Sequence, residues 1–345
     1  MATMEQILDM LRTDEYRFLQ TNPHLGRNII LLGLGGSHAY GTNVEGSDVD
    51  IRGIALNRKE DILGGSQFNQ VVDETTDTTI YSLNKIITLL SSCNPNTIEM
   101  LGLKPEHYIH LHPIGEELIA NRKMFLSKRA VHSFGGYATS QLRRLDNKSM
   151  RTLEQAQQEQ HILNSIFNAT YSFPERYSEF GPDDSINLYL GASEQEDMDK
   201  EIFMDIHLTH YPLRDYKGMW SDMKNIISDY AKIGQRNKKA IEHGKIAKHM
   251  MHLIRLYMMC IDILEKEEIV TYREADHEFL MKVRNGLFLD SEGHPIDGFY
   301  DVVDSFEAEM KYAAENTSLP DKPDYKAIKE FTMSVNERIV RGEAL

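Results

Sequence analysis

A chain of 345 residues, 41% hydrophobic and 26% charged, can bury a sizeable core, has room for two domains and has the composition of an ordinary soluble enzyme. Only two cysteines, Cys93 and Cys260, exclude a disulfide framework, no apolar stretch approaches a membrane span, and the N-terminus carries acidic residues where a signal peptide needs basic ones, so a cytoplasmic protein is expected. A net charge of −15 weighs against nucleic-acid binding by the surface at large, because phosphate backbones are held mainly by Lys and Arg.

In chain order, the pattern predicts an N-terminal helix over residues 4–20. Residues 28–34 form an apolar run bounded by turn-forming glycines, which reads as a buried strand entering a tight turn at Gly35-Gly36. Ser37 is expected as the N-cap of a short helix through Tyr40, whose free amides and positive dipole end favour an anionic phosphate. After turns around Gly41 and Gly46, a second strand is expected over residues 48–56. Period-two geometry places Asp48 and Asp50 on one face of it. Two carboxylates so close repel unless a cation sits between them, and hard oxygen ligands suit Mg²⁺ or Mn²⁺. A glycine pair before Ser is common in turns, and Asp-x-Asp at a strand start is often a solvated edge; the order of the two, with strand signals on both sides, gives the combination its specificity.

An acidic turn, Asp73 to Thr76, leads into a β-prone run that Asp77 opens. A helix follows over residues 85–92, and Asn94-Pro95 starts another with Asn94 as cap and Pro95 at the first position. Glu99 on that helix is read as packing support. Residues 127–168 have helical periodicity, with Gly135-Gly136 as the expected break. Prolines and glycines punctuate residues 171–216, read as an insertion of loops and short elements. On a helix over residues 238–265, Ile246, Met250, Leu253 and Tyr257 share one face, while Lys245, Lys248, His252 and Arg255 share the opposite one, flanked by His249. That face reads as a basic stripe lining a cleft. A last helix is expected over residues 325–340.

Gly36-Ser37 followed by Asp48-x-Asp50 resembles the nucleotidyltransferase signature of the DNA polymerase β superfamily. The blocks Gly36 to Thr42, Ser47 to Gly53, Tyr81 to Lys85, Cys93 to Leu101 and Lys248 to Leu256 resemble, more narrowly, the RNA-repair-pathway polymerase-β-like family, with a middle segment like that of members from tailed phages. The resemblance implies an α+β fold: a polymerase-β-type mixed sheet with helices over residues 1–126 as the catalytic domain, and a mostly helical substrate-binding domain over residues 127–345 carrying the 171–216 insertion. It further implies a third carboxylate, for which Asp77 is the choice, with Asp73 and Glu74 as competitors. Asp48, Asp50 and Asp77 would then hold two Mg²⁺ (or Mn²⁺) ions, and Asp77 would also take the proton of the attacking hydroxyl. Gly36, Ser37, Tyr40, Lys248, His252 and Arg255 are the nucleotide-binding candidates. The implied reaction moves an NMP from an NTP, ATP foremost, onto a hydroxyl of RNA or tRNA with release of pyrophosphate; the alternatives are AMPylation of a protein hydroxyl and a non-catalytic nucleotide or RNA sensor. Basic clusters at Arg122 to Arg151 and Lys232 to Lys248, apart from the acidic runs at Asp183, Glu194 to Glu201 and Glu265 to Glu268, leave room for an RNA partner despite the net charge.

Overall fold

The apolar run after Asn28 is buried at all six positions, as befits a strand covered on both faces. The computed structural model describes residues 3–150, 185–192, 200–234, 243–291 and 293–343. In it this strand, β1 (Ile29–Leu34), belongs to a five-stranded mixed sheet. The central strand is β2 (Ile51–Ala55), antiparallel to β1 and parallel to β4 (Thr78–Ser82). At the edges, β3 (Gln70–Asp73) pairs antiparallel with β4, and β5 (Tyr108–Leu111) antiparallel with β1.

Helices in this half are α1 (Met4–Met10), α2 (Phe18–Thr21), α3 (Gly36–Tyr40), α4 (Lys59–Leu63), α5 (Leu83–Ser91), α6 (Pro95–Ile98), α7 (Pro113–Ala120) and α8 (Arg129–Met150). The expected single helix over residues 4–20 is broken: α1 stops at Met10, and Thr13 takes an extended conformation while its hydroxyl donates to the Met10 carbonyl. Ser82 caps α5 by accepting from the Lys85 amide, and α6 starts as expected, with Asn94 capping and Pro95 first. Gly135 and Gly136 lie inside α8 rather than breaking it. The pattern expected beyond it, over residues 151–168, lies outside the described residues.

Further along come β6 (Ser185–Ala192) and β7 (Lys200–His207), then α9 (Leu213–Gly234), α10 (His243–Lys266), α11 (His277–Arg284), α12 (Asp297–Asn316) and α13 (Tyr325–Arg341). Within residues 171–216, where loops and short elements were expected, β6 and β7 pair over eight residues each. Lys238, Lys239 and the rest of residues 235–242 lie outside the described residues.

The chain divides into two compact units, one of Met1–Leu142 with Ala247–Leu345 and one of Arg143–Ile246. The boundary expected near residue 126 falls inside the first unit. There Leu256, Met259, Cys260, Ile263 and Leu264 of α10 join one core cluster with Ile30, Leu31 and Ile54 of the sheet and Ile328, Phe331 and Val335 of α13. A second cluster sets Leu32, Leu34, Ile51 and Ile80 against Ile7, Tyr16 and Leu19. In the other unit, Met219 and Met223 of α9 are buried against Met204, Leu208, Tyr211 and Tyr216. The whole is an α+β fold, a mixed sheet with its helices followed by a helical C-terminal region. Among the described residues no helix is long and apolar enough to cross a membrane.

Candidate active site

Strand register builds the site. Leu34 pairs with Ile51 across the antiparallel β1–β2 ladder, and Ile51 pairs with Thr78 across the parallel β2–β4 ladder. The residue after β1 and the residues before β2 and β4, which are Gly35, Asp50 and Asp77, therefore meet at one end of the sheet. The Gly35 amide donates to the Asp50 carbonyl at 2.8 Å, and the Ile51 amide to the Asp77 carbonyl at 3.2 Å.

Asp50 and Asp77 hydrogen-bond to each other through their carboxyl groups. Arg52, two residues beyond Asp50 and on the same strand face, braces the pair. Its Nη2 lies 3.2 Å from Asp50 Oδ1 and 3.0 Å from Asp77 Oδ1, and its Nη1 donates to the carbonyls of Asp77 at 2.5 Å and Ile51 at 3.0 Å. Burial, with the Asp77 hydrogen bond, pushes Asp50 up to about 6 against the opposing pull of Arg52 and Lys248. Asp77 is more exposed. Burial raises it too, but the hydrogen bond with Asp50 and the charge of Arg52 carry it below the usual carboxylate value. The proton belongs to the pair.

The glycines serve this pair. A Cβ on Gly36 would stand 1.9 Å from Asp50 Oδ2, and one on Gly35 2.8 Å from the Arg52 Cγ. Gly36 also has φ +53°, in the left-handed region. Asp50 and Arg52 occupy the space that the absent glycine side chains leave. Ser37 is not the N-cap: Gly35 takes that position in extended backbone without a side-chain bond, and Ser37 is buried inside α3.

Two of the three expected carboxylates converge. β2 begins at Ile51 rather than at residue 48, because its ladder with β1 ends there, so Asp48 lies exposed in the segment leading into the strand. Asp77 is not a strand residue but the last of a turn, at φ 43°, a conformation that Asp tolerates better than most residues. The competitor Asp73 is engaged elsewhere, accepting from the amide and hydroxyl of Thr76. Among the described residues no three His, Cys, Asp or Glu side chains form a cluster suited to a metal ion. The donor set nevertheless fits a hard divalent cation: two carboxylates close enough to share a proton, with the free carboxylate of Asp48 on the same chain segment.

The helix-side candidates separate. Lys248, exposed near the start of α10, acts on both Asp50 and Asp77 by its charge. Arg255 is only 3% exposed and does not line a cleft. From Met250 to Leu264 nearly every position of α10 is buried, so the helix is a core element rather than a two-faced one. Arg255 lies with its guanidinium carbon 3.5 Å from the Tyr40 ring centre and its Nη1 3.4 Å from Glu99 Oε2. The Tyr40 hydroxyl meets both Glu99 oxygens at 2.7 and 2.9 Å, and Thr271 donates to the Glu99 carbonyl. Burial raises Glu99 against the pull of Arg255, and raises Tyr40 well above its ordinary value. His252, edge-on to Tyr40, is held well below the usual histidine value by burial and then by the charges of Arg255 and Lys248, so it is neutral at physiological pH. Side chains at residues 243–245, Lys245 included, lie outside the described ones.

Residues 10–167 match the model of the RNA repair pathway DNA polymerase beta family. This part of the chain is similar to that family. Asp48, Asp50, Arg52, Asp77, the Gly35–Gly36 turn and Glu99 fall inside the match, and Lys248, His252 and Arg255 outside it. The chain is also 24% identical over 315 residues to an uncharacterized 38.9 kDa protein from the nrdC-mobD intergenic region of Enterobacteria phage T4, covering 81% of this chain and 89% of that one. No solved structure matches. Similarity to a polymerase beta family makes nucleotidyl transfer the chemistry expected of the site.

Sequence reasoning passed over Arg52. Its signal was available, since a cation two residues beyond Asp50 on a strand must share the face of that carboxylate. It also placed Tyr40 among the nucleotide ligands, whereas the structure buries Tyr40 with its hydroxyl on Glu99. Tyr40→Phe is therefore expected to lower stability by about 2 kcal/mol, the worth of a hydrogen bond to a buried carboxylate. Its NTP affinity should stay within twofold of wild type, as titration calorimetry can check.

Proposed function

We propose that this chain is a metal-dependent nucleotidyltransferase that moves an NMP from an NTP, ATP foremost, to a hydroxyl of RNA or tRNA and releases pyrophosphate. The observation that carries the reading is the pair Asp50–Asp77, both bonded by Arg52 Nη2 and set against the Gly35–Gly36 turn, within the segment that matches the family. Asp50 and Asp77, with Asp48, would hold Mg²⁺ or Mn²⁺, two ions when fully loaded. Bound there, the metal would supply charge neutralisation and orientation for an in-line displacement at phosphorus. The residues provide the rest. A carboxylate pair titrating near neutrality can accept the proton of the attacking hydroxyl. The turn through Gly36 and Ser37 offers backbone to the phosphates, and the exposed ammonium of Lys248 can meet their negative charge. Arg52 keeps the two carboxylates at a fixed separation before substrate arrives.

The test is incubation with Mg²⁺, each α-labelled NTP in turn and total RNA, with Asp48→Asn run beside wild type. Metal-dependent label in RNA from wild type, lost in Asp48→Asn, is the expected result. Label confined to protein would replace the reading with AMPylation, and nucleotide binding indifferent to metal, without turnover, would replace it with a sensor. Full activity of Asp48→Asn would remove that residue from the ligand set.

A further inference from the structure

The opposite end of the same strands carries a second polar feature. A cleft of about 610 Å³ opens where Asn28 leads into β1 and where Leu56, Asn57 and Arg58 leave β2. Its cationic lining is Arg27, Arg58 and Lys59, with Glu60 the one acidic side chain among the lining residues. Arg27 and Lys59 are exposed and make no ion pair among the described residues. Arg58 is half-buried, with its Nε 3.5 Å from Asp61 and without a hydrogen-bond partner. Asp61, which also accepts from the Arg58 amide and the Ser66 hydroxyl, offsets the Arg58 charge and leaves Arg27 and Lys59 as the unpaired cations of the rim. In a chain of net charge −15, a cleft that sets two unpaired cations, Arg27 and Lys59, against the single acid Glu60, with Arg58 offset by Asp61, carries a local positive excess. Asn57 is buried with its amide spent on the Phe68 carbonyl and the Asn84 amide, whereas the partly exposed Asn28 can add a donor and an acceptor for a sugar or base edge.

We propose that this cleft binds the phosphate backbone of a single-stranded nucleic acid, at a point remote from the reaction centre. Asp50 precedes β2 and Asn57 follows it, so the carboxylate pair and the cleft are separated by the length of the strand, about 20 Å. A free nucleotide in the cleft cannot reach the carboxylates. A single strand with its end at the carboxylates, more extended than the roughly 3.4 Å rise of a duplex, can reach the cleft within a few nucleotides. The identification of that strand as the acceptor rests on the function proposed above; the binding itself does not.

The test measures fluorescence anisotropy of a labelled single-stranded RNA of roughly a dozen nucleotides, without metal, across a salt series. Arg27→Glu with Lys59→Glu is expected to weaken binding at least about tenfold and to make the dependence of log K on log salt shallower by roughly 1.4, two phosphates at about 0.7 each. Arg27→Lys with Lys59→Arg should restore both, and the melting temperature should not move, since neither side chain is buried or paired. Unchanged affinity and salt slope in the charge-reversed protein, or no RNA binding by wild type, would overturn the proposal. So would displacement of the RNA by inorganic phosphate at equal molar potency, which would assign the cleft to a free phosphate. Loss of RNA binding in the charge-reversed protein, when wild type transfers no nucleotide, upholds the cleft and removes the enzyme reading. Transfer by wild type with binding untouched by the charge reversal does the opposite.

Discussion

Asp50→Asn is expected to abolish nucleotidyl transfer while raising the melting temperature of the metal-free protein at neutral pH. Both effects come from the same cause. The fold holds Asp50 where burial and the Asp77 carboxyl disfavour its charge, pushing it up to about 6. Between the unfolded value near 4 and that folded value, the native state binds more protons than the unfolded one, so stability declines as pH rises through this window. Above about pH 6 the full penalty is present, roughly 1–2 kcal/mol once solvent screening of a partly exposed group is allowed for. Asparagine keeps an oxygen for Arg52 and carries no charge, so the penalty disappears. The same substitution removes a ligand and half of the proton acceptor, and turnover should fall by at least about 10²–10³-fold. Thermal melts in chelator at pH 4.5 and 7.5 check the first part. Wild type should lose more stability across that interval than the variant, which keeps only the penalty of other buried carboxyls such as Glu99. Added Mg²⁺ should stabilise wild type, the more so at the higher pH where protons no longer compete for the carboxylates, and leave the variant unmoved. A variant less stable than wild type at pH 7.5 would contradict the account.

Gly36→Ala should be almost as damaging to activity, by a steric route. The added Cβ would meet Asp50 Oδ2 at 1.9 Å, and φ +53° is a conformation that L-residues adopt at a cost of about 1–2 kcal/mol. Either the turn or Asp50 must move. We expect about 2–3 kcal/mol of lost stability together with at least 10²-fold lower turnover, because a carboxylate displaced by an ångström no longer holds its partner or a metal. Gly46→Ala is the control. Gly46 has a similar φ of +79° but nothing within 4 Å of the added carbon, so it should cost only the backbone strain and keep turnover near wild type. If the two alanine variants turn over alike, the contact with Asp50 is not what makes Gly36 necessary.

Much of the sheet could be read from local signals. The apolar run of β1, the Asn94-Pro95 helix start and the last helix each carry their own chemistry within a few residues. What could not be read is lateral. That Asp50 and Asp77 meet follows from parallel pairing of β2 with β4, and no periodicity within either strand fixes that register. The same holds for Arg255. A helical wheel sets it beside Lys248 and His252 on a polar face, yet Lys248 is exposed while Arg255 is buried against Glu99, 156 residues earlier, and the Tyr40 ring. Local pattern assigned the faces of α10; a distant carboxylate decided which residue was solvated. Asp48 misled for a smaller reason, since the strand began three residues later than its apolar pattern allowed.

Arg52 and Asp77 lie 25 residues apart in sequence, and they are joined across the β2–β4 ladder, the sole parallel pairing among the described strands. Hairpin-like contacts can close quickly on a short loop, whereas this crossover must surrender more chain entropy before any contact rewards it. The pairing of β2 with β4 is thus also the step that brings two carboxylates together. Arg52, already carried on β2, arrives with them as the counter-charge, so the assembly of the reaction centre and the docking of β4 on β2 are one event, separate from the longer closure that sets Leu111 of β5 beside Leu31 of β1.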